Sequence, residues 1–433
     1  MLLLPSVLAA AAVVLCGSSP AEVELGTAGG ATFVGPAASS TPPPLRVAYL
    51  HNWLPLGGVE THILALCRGL DRRRIDPAVF LFQDGSGPLV PPVRAAGCNV
   101  SSFPVRTPGA PHDDAAMERL VAALRAGRYD AAFTWYGRSS GVPIGVAAPH
   151  RAGVGALALR VEWAVDAAPP DLPLTVLEVQ NDYVGAMLEG APYPRRRTGS
   201  GVELRDFVPT PRSAGYVRRP GTLTVGRVSR LVAAKDPYTL VAAAPAIAAA
   251  VLASTGLATR VLIAGDGDIR GELEALAERL GAAKYVEFVG ALSRDAVPGF
   301  LDSLDVFVYS TTCDTFGYVL AEAMAMALPV VATDACSVPD IVADGVTGVL
   351  VRPHYDPASG DYLVADEYVA AFAAAVSGLA SAPSRMRAFG AAGREAVEAC
   401  CAMPRYLDRH AALLEEAVDA QRRGEALASE GGY

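Results

Sequence analysis

The feature that most constrains this chain is an alternation of short apolar runs with helix-patterned stretches, which stops once and then starts again. Residues 45–50, 78–82, 100–104, 131–135, 157–161 and 175–179 read as buried strands, with helical patterns between them at 61–70 and 114–126. Around 207–221 the pattern breaks into a Pro-, Gly- and Arg-rich stretch, VPTPRSAGYVRRPG from Val208 on, which reads as a linker. Strands then resume at 223–228, 260–264, 286–289, 306–309 and 329–332, with helices at 269–280 and 317–327. The Ala-rich run 242–253 suits a tightly packed helix, and the tail from 385 to about 425 is helical. Strands that alternate with helices predict parallel sheets covered on both faces. The expectation is therefore α/β: two doubly wound Rossmann-like domains, 45–208 and 209–395, facing across a cleft, followed by a helical tail, 396–433. Ligands of such sheets lie beyond the carboxyl ends of the strands, which directs attention to the loops that follow them.

Composition excludes several classes. With 52% hydrophobic and 19% charged residues, the chain is globular and not disordered. A net charge of −9 and no long Lys/Arg run leave no electrostatic footprint for nucleic acid. Any anionic ligand must be held by a few local cations. The first 15 residues, MLLLPSVLAAAAVVL, are apolar and end near a small-residue stretch. Residues 1–21 thus resemble a signal peptide without its usual basic start, and 22–44 an unstructured leader. The chain is expected in the secretory pathway if that segment is a signal, and in the cytoplasm otherwise. Seven cysteines match neither a zinc site nor a small disulfide framework, so most are expected to be buried free thiols.

Four post-strand loops hold candidate chemistry. In HNWLPLGGVE, Gly57 and Gly58 lead into a helix; alone they describe an ordinary strand-to-helix turn. In VGRVSRLVAAKDP, Arg230 and Lys235 are five apart, a fork and a point charge suited to a diphosphate, although a solvated basic loop has the same appearance. In IAGDGDIRGELEAL the glycines miss the G-x-G-x-x-G spacing by one position, and Asp266 and Asp268 would repel a pyrophosphate. A nicotinamide oxidoreductase is therefore disfavoured. In DTFGYVLAEAMAMALPVVATD, Asp314 and Glu322 stand eight positions apart in an apolar run, at most about 12 Å along a helix. Asp314 could be a helix N-cap. Glu322 needs a partner, because an unpaired buried carboxylate is costly, and a ribose diol would serve. The amides of Gly317, Tyr318 and Val319 mark a helix N-terminus, which favours phosphate.

In this order the motifs resemble the retaining glycosyltransferases of family 4, the group 1 glycosyl transferases with the GT-B fold. SGVELRDFVP (200–209) is similar to their N-G-V-D-x-x-x-F-x-P segment, with Ser200 for Asn and Glu203 for Asp. SRLVAAKDP resembles G-R-L-x-x-x-K-D-P, with Ser229 for Gly. AGDG and FVG (288–290) follow, and DTFGYVLAEAMAMALPVVAT resembles the Glu-x7-Glu signature. DIVADGVTGVLV (340–351) completes the likeness, which spans about 45–425 and is more specific in the second half.

The resemblance implies an enzyme, a hexosyltransferase moving a sugar from a nucleotide-diphosphate donor (UDP- or GDP-sugar) to a hydroxyl acceptor with retention, without metal or further cofactor. The resemblance leaves the acceptor open among a glycan, a lipid and a small molecule, with membrane-surface association among the options. By position, Arg230 and Lys235 hold the diphosphate and Glu322 the ribose. Asp314 holds the transferred sugar, beside the amides of Phe316, Gly317 and Tyr318, and Gly57 and Gly58 form an acceptor-side loop in the N-terminal domain. Asp314 replaces a Glu, Thr315 and Ala327 replace glycines, and ALRVEWAV (158–165) stands where relatives carry a His, with Glu162 or Trp163 in its place. His150 lies too early and reads as a helix-end residue. Two alternatives stand beside it: a nucleotide-sugar epimerase of GT-B architecture, which uses a similar donor cleft without an acceptor, and a degenerate sugar-nucleotide-binding protein, which the missing His and the Asp314 replacement favour.

Overall fold

Runs such as VAYL (47–50) and VFVY (306–309) are apolar and buried over their whole length, as the centres of strands covered on both faces must be. In a computed structural model, which describes residues 42–55, 57–83, 85–105, 113–136, 142–162, 172–210, 221–353 and 366–427, they form the centres of two parallel sheets. The signal-peptide segment, nearly all of the leader, Trp163 and residues 211–220 of the expected linker lie outside the described residues.

The elements in chain order are β1 (Leu45–His51), α1 (Gly58–Gly69), β2 (Ile75–Leu81), α2 (Val90–Ala95), β3 (Asn99–Ser102), α3 (Asp114–Gly127), β4 (Ala131–Tyr136), α4 (Val142–Ala152), β5 (Ala156–Val161), β6 (Val176–Val179), α5 (Asp182–Met187) and β7 (Arg195–Arg197). Then follow β8 (Thr222–Val228), α6 (Pro237–Thr255), β9 (Ala258–Ala264), α7 (Arg270–Arg279), β10 (Val286–Gly290), α8 (Val297–Asp302), β11 (Val306–Tyr309), α9 (Tyr318–Ala325), β12 (Val330–Thr333), β13 (Gly348–Val351), α10 (Asp366–Ala380), α11 (Pro383–Cys400) and α12 (Met403–Arg423).

The first sheet has the order β3-β2-β1-β4-β5-β6-β7 and the second β10-β9-β8-β11-β12-β13. All pairings are parallel. In the second sheet the strand order reverses between β8 and β11, and in the first between β1 and β4. The loops leaving those strands diverge there and open a crevice.

The chain divides into two units. Of the described residues, one contains 42–180, Val184–Gly201 and 403–427, and the other Asn181–Tyr183 and Val202–Ala402. The crossings thus fall near 202 and 402, earlier than the expected boundary at 208. The helical tail is also divided: α11 stays with the second unit, and α12 belongs to the first. There α12 lays Tyr406, Leu407, His410, Leu414 and Val418 into the core formed by Val47, Tyr49, Phe133 and Trp135.

In the second unit α6 is apolar on nearly every side because α10, α7 and β9 all pack on it. By length and composition it would also pass as a membrane span, yet it is a core helix.

The free-thiol expectation fails at five of the described cysteines: Cys67, Cys98, Cys313, Cys336 and Cys400 are disulfide-bonded. Cys67 is bonded to Cys98 and Cys313 to Cys336, with Cα–Cα separations of 5.8 and 5.3 Å. Pairs 31 and 23 residues apart show no framework spacing in sequence. The parallel fold brings the second pair together, because Cys313 follows β11 and Cys336 follows its neighbour β12. Cys401 is a buried thiol outside these disulfides.

Candidate active site

At the switch point of the second sheet, the loop after β8 is built around Arg227. This side chain is fully buried and donates to the carbonyls of Lys235, Asp236 and Ser310 and to the hydroxyls of Ser229 and Ser310. Burial draws its pKa down to about 10, so it keeps its charge at neutral pH. One guanidinium thereby ties the Ser229–Lys235 stretch to the end of β11. Asp236, in the left-handed region at φ 39°, caps α6 by accepting from the amide and hydroxyl of Thr239. Gly265 and Gly267 are needed for close approach to this loop: a Cβ on them would fall 1.8 Å from the Ser229 carbonyl oxygen and 2.2 Å from that of Leu231. Asp266 and Asp268 are exposed, in keeping with a structural turn.

This scaffold brings Lys235 and Asp314 together across 79 positions of sequence. Lys235 Nζ donates to Asp314 Oδ2, the buried Tyr309 hydroxyl donates to the same oxygen, and the Thr315 amide donates to Oδ1 at 3.0 Å. Burial alone would raise the Asp314 carboxyl. The Lys235 charge and these hydrogen bonds outweigh it and hold the group below the usual aspartate range. Burial and the Asp314 charge in turn push the Tyr309 hydroxyl well above the ordinary tyrosine value, so it remains a donor. Asp314 is not the cap of α9. That position is Gly317, at φ 71°, without a side-chain cap, and a Cβ there would meet the Tyr309 hydroxyl at 3.1 Å. The helix begins one residue later than expected, at Tyr318, and its positive end faces the loop that carries Asp314.

Phe316 is buried edge-on to Tyr318, with ring centroids 4.9 Å apart, and Val319 is half-buried in the first turn. Asn181, which belongs to this unit, donates to the Thr315 carbonyl at 2.7 Å. Arg230 is exposed in the β8 loop.

Glu322 lies in α9 at 5% exposure. The partner that a buried carboxylate needs is supplied within the protein by Arg294, in the turn after β10, which donates Nη1 to its Oε1. Burial still raises this carboxyl above the usual glutamate range, with Arg294 pulling it down and Asp206 adding to the rise. Sequence reading missed Arg294, Tyr309 and the role of Arg227. Arg294 sits in a polar turn, and Tyr309 is indistinguishable by pattern from any other large residue of a buried strand.

In the first unit, Gly57 caps α1 with extended backbone and Gly58 begins it. Glu60, three residues on, pairs with His51 Nε2 at 3.1 Å. Glu162, one of the two residues set against the His of the resembling family, is held by Arg160 Nε at 2.6 Å, and Ser200 accepts from the same arginine. His150 is exposed in the last turn of α4, as a helix-end residue is. Among the described residues no group of three or more His, Cys, Asp or Glu side chains is placed to hold a metal ion.

A parallel sheet whose diverging loops present cations, a helix N-terminus, a part-buried carboxylate and a buried one is the arrangement of a nucleotide-handling α/β enzyme. Comparison narrows the class. Residues 219–382 match the family described as Glycosyl transferases group 1. Over 343 residues the chain is 31% identical to a GDP-mannose-dependent alpha-(1-6)-phosphatidylinositol monomannoside mannosyltransferase of Mycobacterium tuberculosis, covering 71% of this chain and 80% of that protein. An alpha-maltose-1-phosphate synthase of Mycolicibacterium smegmatis is 36% identical over 184 residues, 41% of this chain and 43% of that one. Among solved structures, Anabaena Alr3699/HepE in complex with UDP and glucose aligns with a TM-score of 0.67 at 17% identity, over 86% of this chain and all of that one. The chain belongs to the group 1 glycosyltransferases, family 4, with the GT-B fold, and is a glycosyltransferase.

Proposed function

We propose that this chain is a retaining, metal-independent hexosyltransferase that moves a sugar from UDP- or GDP-sugar to a hydroxyl acceptor, with no cofactor beyond that donor. The observation that carries the reading is the convergence of Lys235 and Asp314 at the switch point, at the N-terminal side of the helix that holds Glu322. Arg230, Lys235 and the amides of Gly317, Tyr318 and Val319 supply the positive field for the leaving diphosphate. Asp314 accepts from hydroxyls of the transferred sugar, and Glu322 from those of the ribose. The acceptor oxygen attacks the anomeric carbon on the face that the nucleotide leaves. The bond from that carbon to the phosphate oxygen breaks, and the acceptor proton passes to the departing phosphate. The M. tuberculosis relative is named for GDP-mannose, and the Anabaena structure holds UDP and glucose; both support a nucleotide-sugar donor here.

The test is to incubate the chain with UDP- and GDP-hexoses and panels of glycan, lipid and small-molecule acceptors, with and without EDTA. Nucleotide release that requires an acceptor, persists in EDTA and yields a product of unchanged anomeric configuration is expected. An inverted product, or a requirement for metal, would contradict the mechanism. Epimerised free donor, or binding without turnover under every acceptor, would favour the other two readings.

A further inference from the structure

Arg294 is a site feature that neither acid's assigned role explains. It lies in a single 3-10 turn, Arg294–Ala296, between β10 and α8. Its guanidinium stacks on the ring of Phe207, 4.9 Å from the centroid, and Phe207 is itself fully buried. From that seat it donates Nη1 to Oε1 of Glu322. Oε2 of Glu322 makes no hydrogen bond with any described residue, and about a third of the Arg294 side chain stays exposed. A planar guanidinium fixed by an aromatic face gives a carboxylate one orientation, which a flexible ammonium would not.

We propose that Arg294 is the positioning residue of the ribose site: stacked on Phe207, it holds Glu322 turned so that Oε2 meets the ribose hydroxyls, and so sets the preference for a ribonucleotide over its 2′-deoxy counterpart. This rests on the donor-site reading of Glu322. A carboxylate free to rotate, or protonated, loses the ability to accept from two vicinal hydroxyls together. One hydrogen bond to a charged group corresponds to about 10- to 100-fold in affinity. The charged groups that face Glu322 are Arg294 and Asp206, one lowering and one raising its proton affinity. Without Arg294 the carboxyl rises further. Nucleotide binding should then weaken as the pH is lowered, over a range where the wild type is flat.

The experiment is calorimetric titration of the full chain with UDP, GDP, dUDP and dGDP, at several pH values, for wild type, Arg294→Gln, Arg294→Lys and Glu322→Gln. Unfolding transitions are recorded for each variant to confirm the fold. The expected result is a ribose preference of about 10-fold or more in the wild type. It should collapse in Arg294→Gln with a new loss of binding towards low pH, and recover in part in Arg294→Lys. Arg294→Gln with wild-type affinity and preference overturns the inference, as does tighter binding, which would make Arg294 a competitor of the ribose. If Glu322→Gln binds as the wild type does, or the wild type binds neither UDP nor GDP, the donor-site reading falls instead. The two failures are thereby separated.

Discussion

Asp314 is part-buried and Glu322 buried, and their environments push them in opposite directions. Asp314 sits against a cation and two further donors and is held below its ordinary range; Glu322 has one cation against full burial and stays above its own. The spacing of the two acids in an apolar run was legible in the sequence. Their partners were not, because Lys235 is 79 residues from Asp314 and Arg294 28 from Glu322. Only the sheet order brings those loops together. Tyr309→Phe isolates one partner, since it removes a hydroxyl and leaves the buried ring. The Asp314 carboxyl should then rise, so the acid limb of the kcat profile moves to higher pH while nucleotide affinity at pH 7.5 changes by less than about threefold. An unmoved acid limb would mean that Asp314 does not act in transfer as an ionised carboxylate. Asp314→Ala should lower kcat by about 10- to 100-fold, with a smaller effect on nucleotide binding.

Among the elements, α9 shows how local geometry and site depend on each other. Its start needs Gly317 in a left-handed conformation beneath the Tyr309 hydroxyl. Its end closes with the Leu328 amide donating to the Ala323 carbonyl at 3.1 Å and the Ala327 amide to that of Met324 at 2.9 Å. That is a Schellman motif, whose C′ position favours glycine. Ala327 holds it at φ 55°, and its carbonyl oxygen would lie 2.0 Å from a Cβ on Gly390. The replacement of a family glycine by Ala327 was visible in the sequence. Its consequence, a strained helix end, required the dihedral. Ala327→Gly should stabilise the chain by up to about 1 kcal/mol, read as a higher denaturant midpoint with unchanged slope. An unchanged or lower midpoint would show that the loss of chain entropy in glycine offsets the relief. Gly317→Ala should cost about 1–2 kcal/mol and weaken nucleotide binding as well, because both the dihedral and the contact with Tyr309 are violated.

For the whole molecule, the alternation of apolar runs sufficed for two parallel α/β sheets, since strands buried on both faces carry their own signal. The pattern did not reveal where the last helix goes. The apolar stripe of α12 identifies it as packed, but not against which sheet. The structure places it in the first unit, joined by a buried cluster: His410 bonds to Glu178 Oε1 at 3.0 Å and to the Tyr49 hydroxyl at 3.0 Å, and Arg160 lies 3.3 Å from Glu178 Oε2. Burial would raise the Glu178 carboxyl, but Arg160 and His410 outweigh it and hold it at about 2. Because the folded value lies below the unfolded one of about 4.3, this stabilisation is complete above that pH and is lost as the pH falls towards 2. Glu178→Gln should therefore cost about 3–5 kcal/mol at pH 7, in urea unfolding, and much less near pH 2. An equal cost at both pH values would assign the loss to packing and not to charge.

The central claim is that the second sheet's switch point holds a nucleotide sugar by two acids at its two ends. It is tested most directly by the affinity of the folded Glu322→Ala variant for UDP and GDP, compared with the wild type in the same titration. The account predicts measurable binding of one nucleotide by the wild type and binding about 10- to 100-fold weaker in the variant, the worth of hydrogen bonds to a charged group. Equal affinity in the two proteins would contradict it.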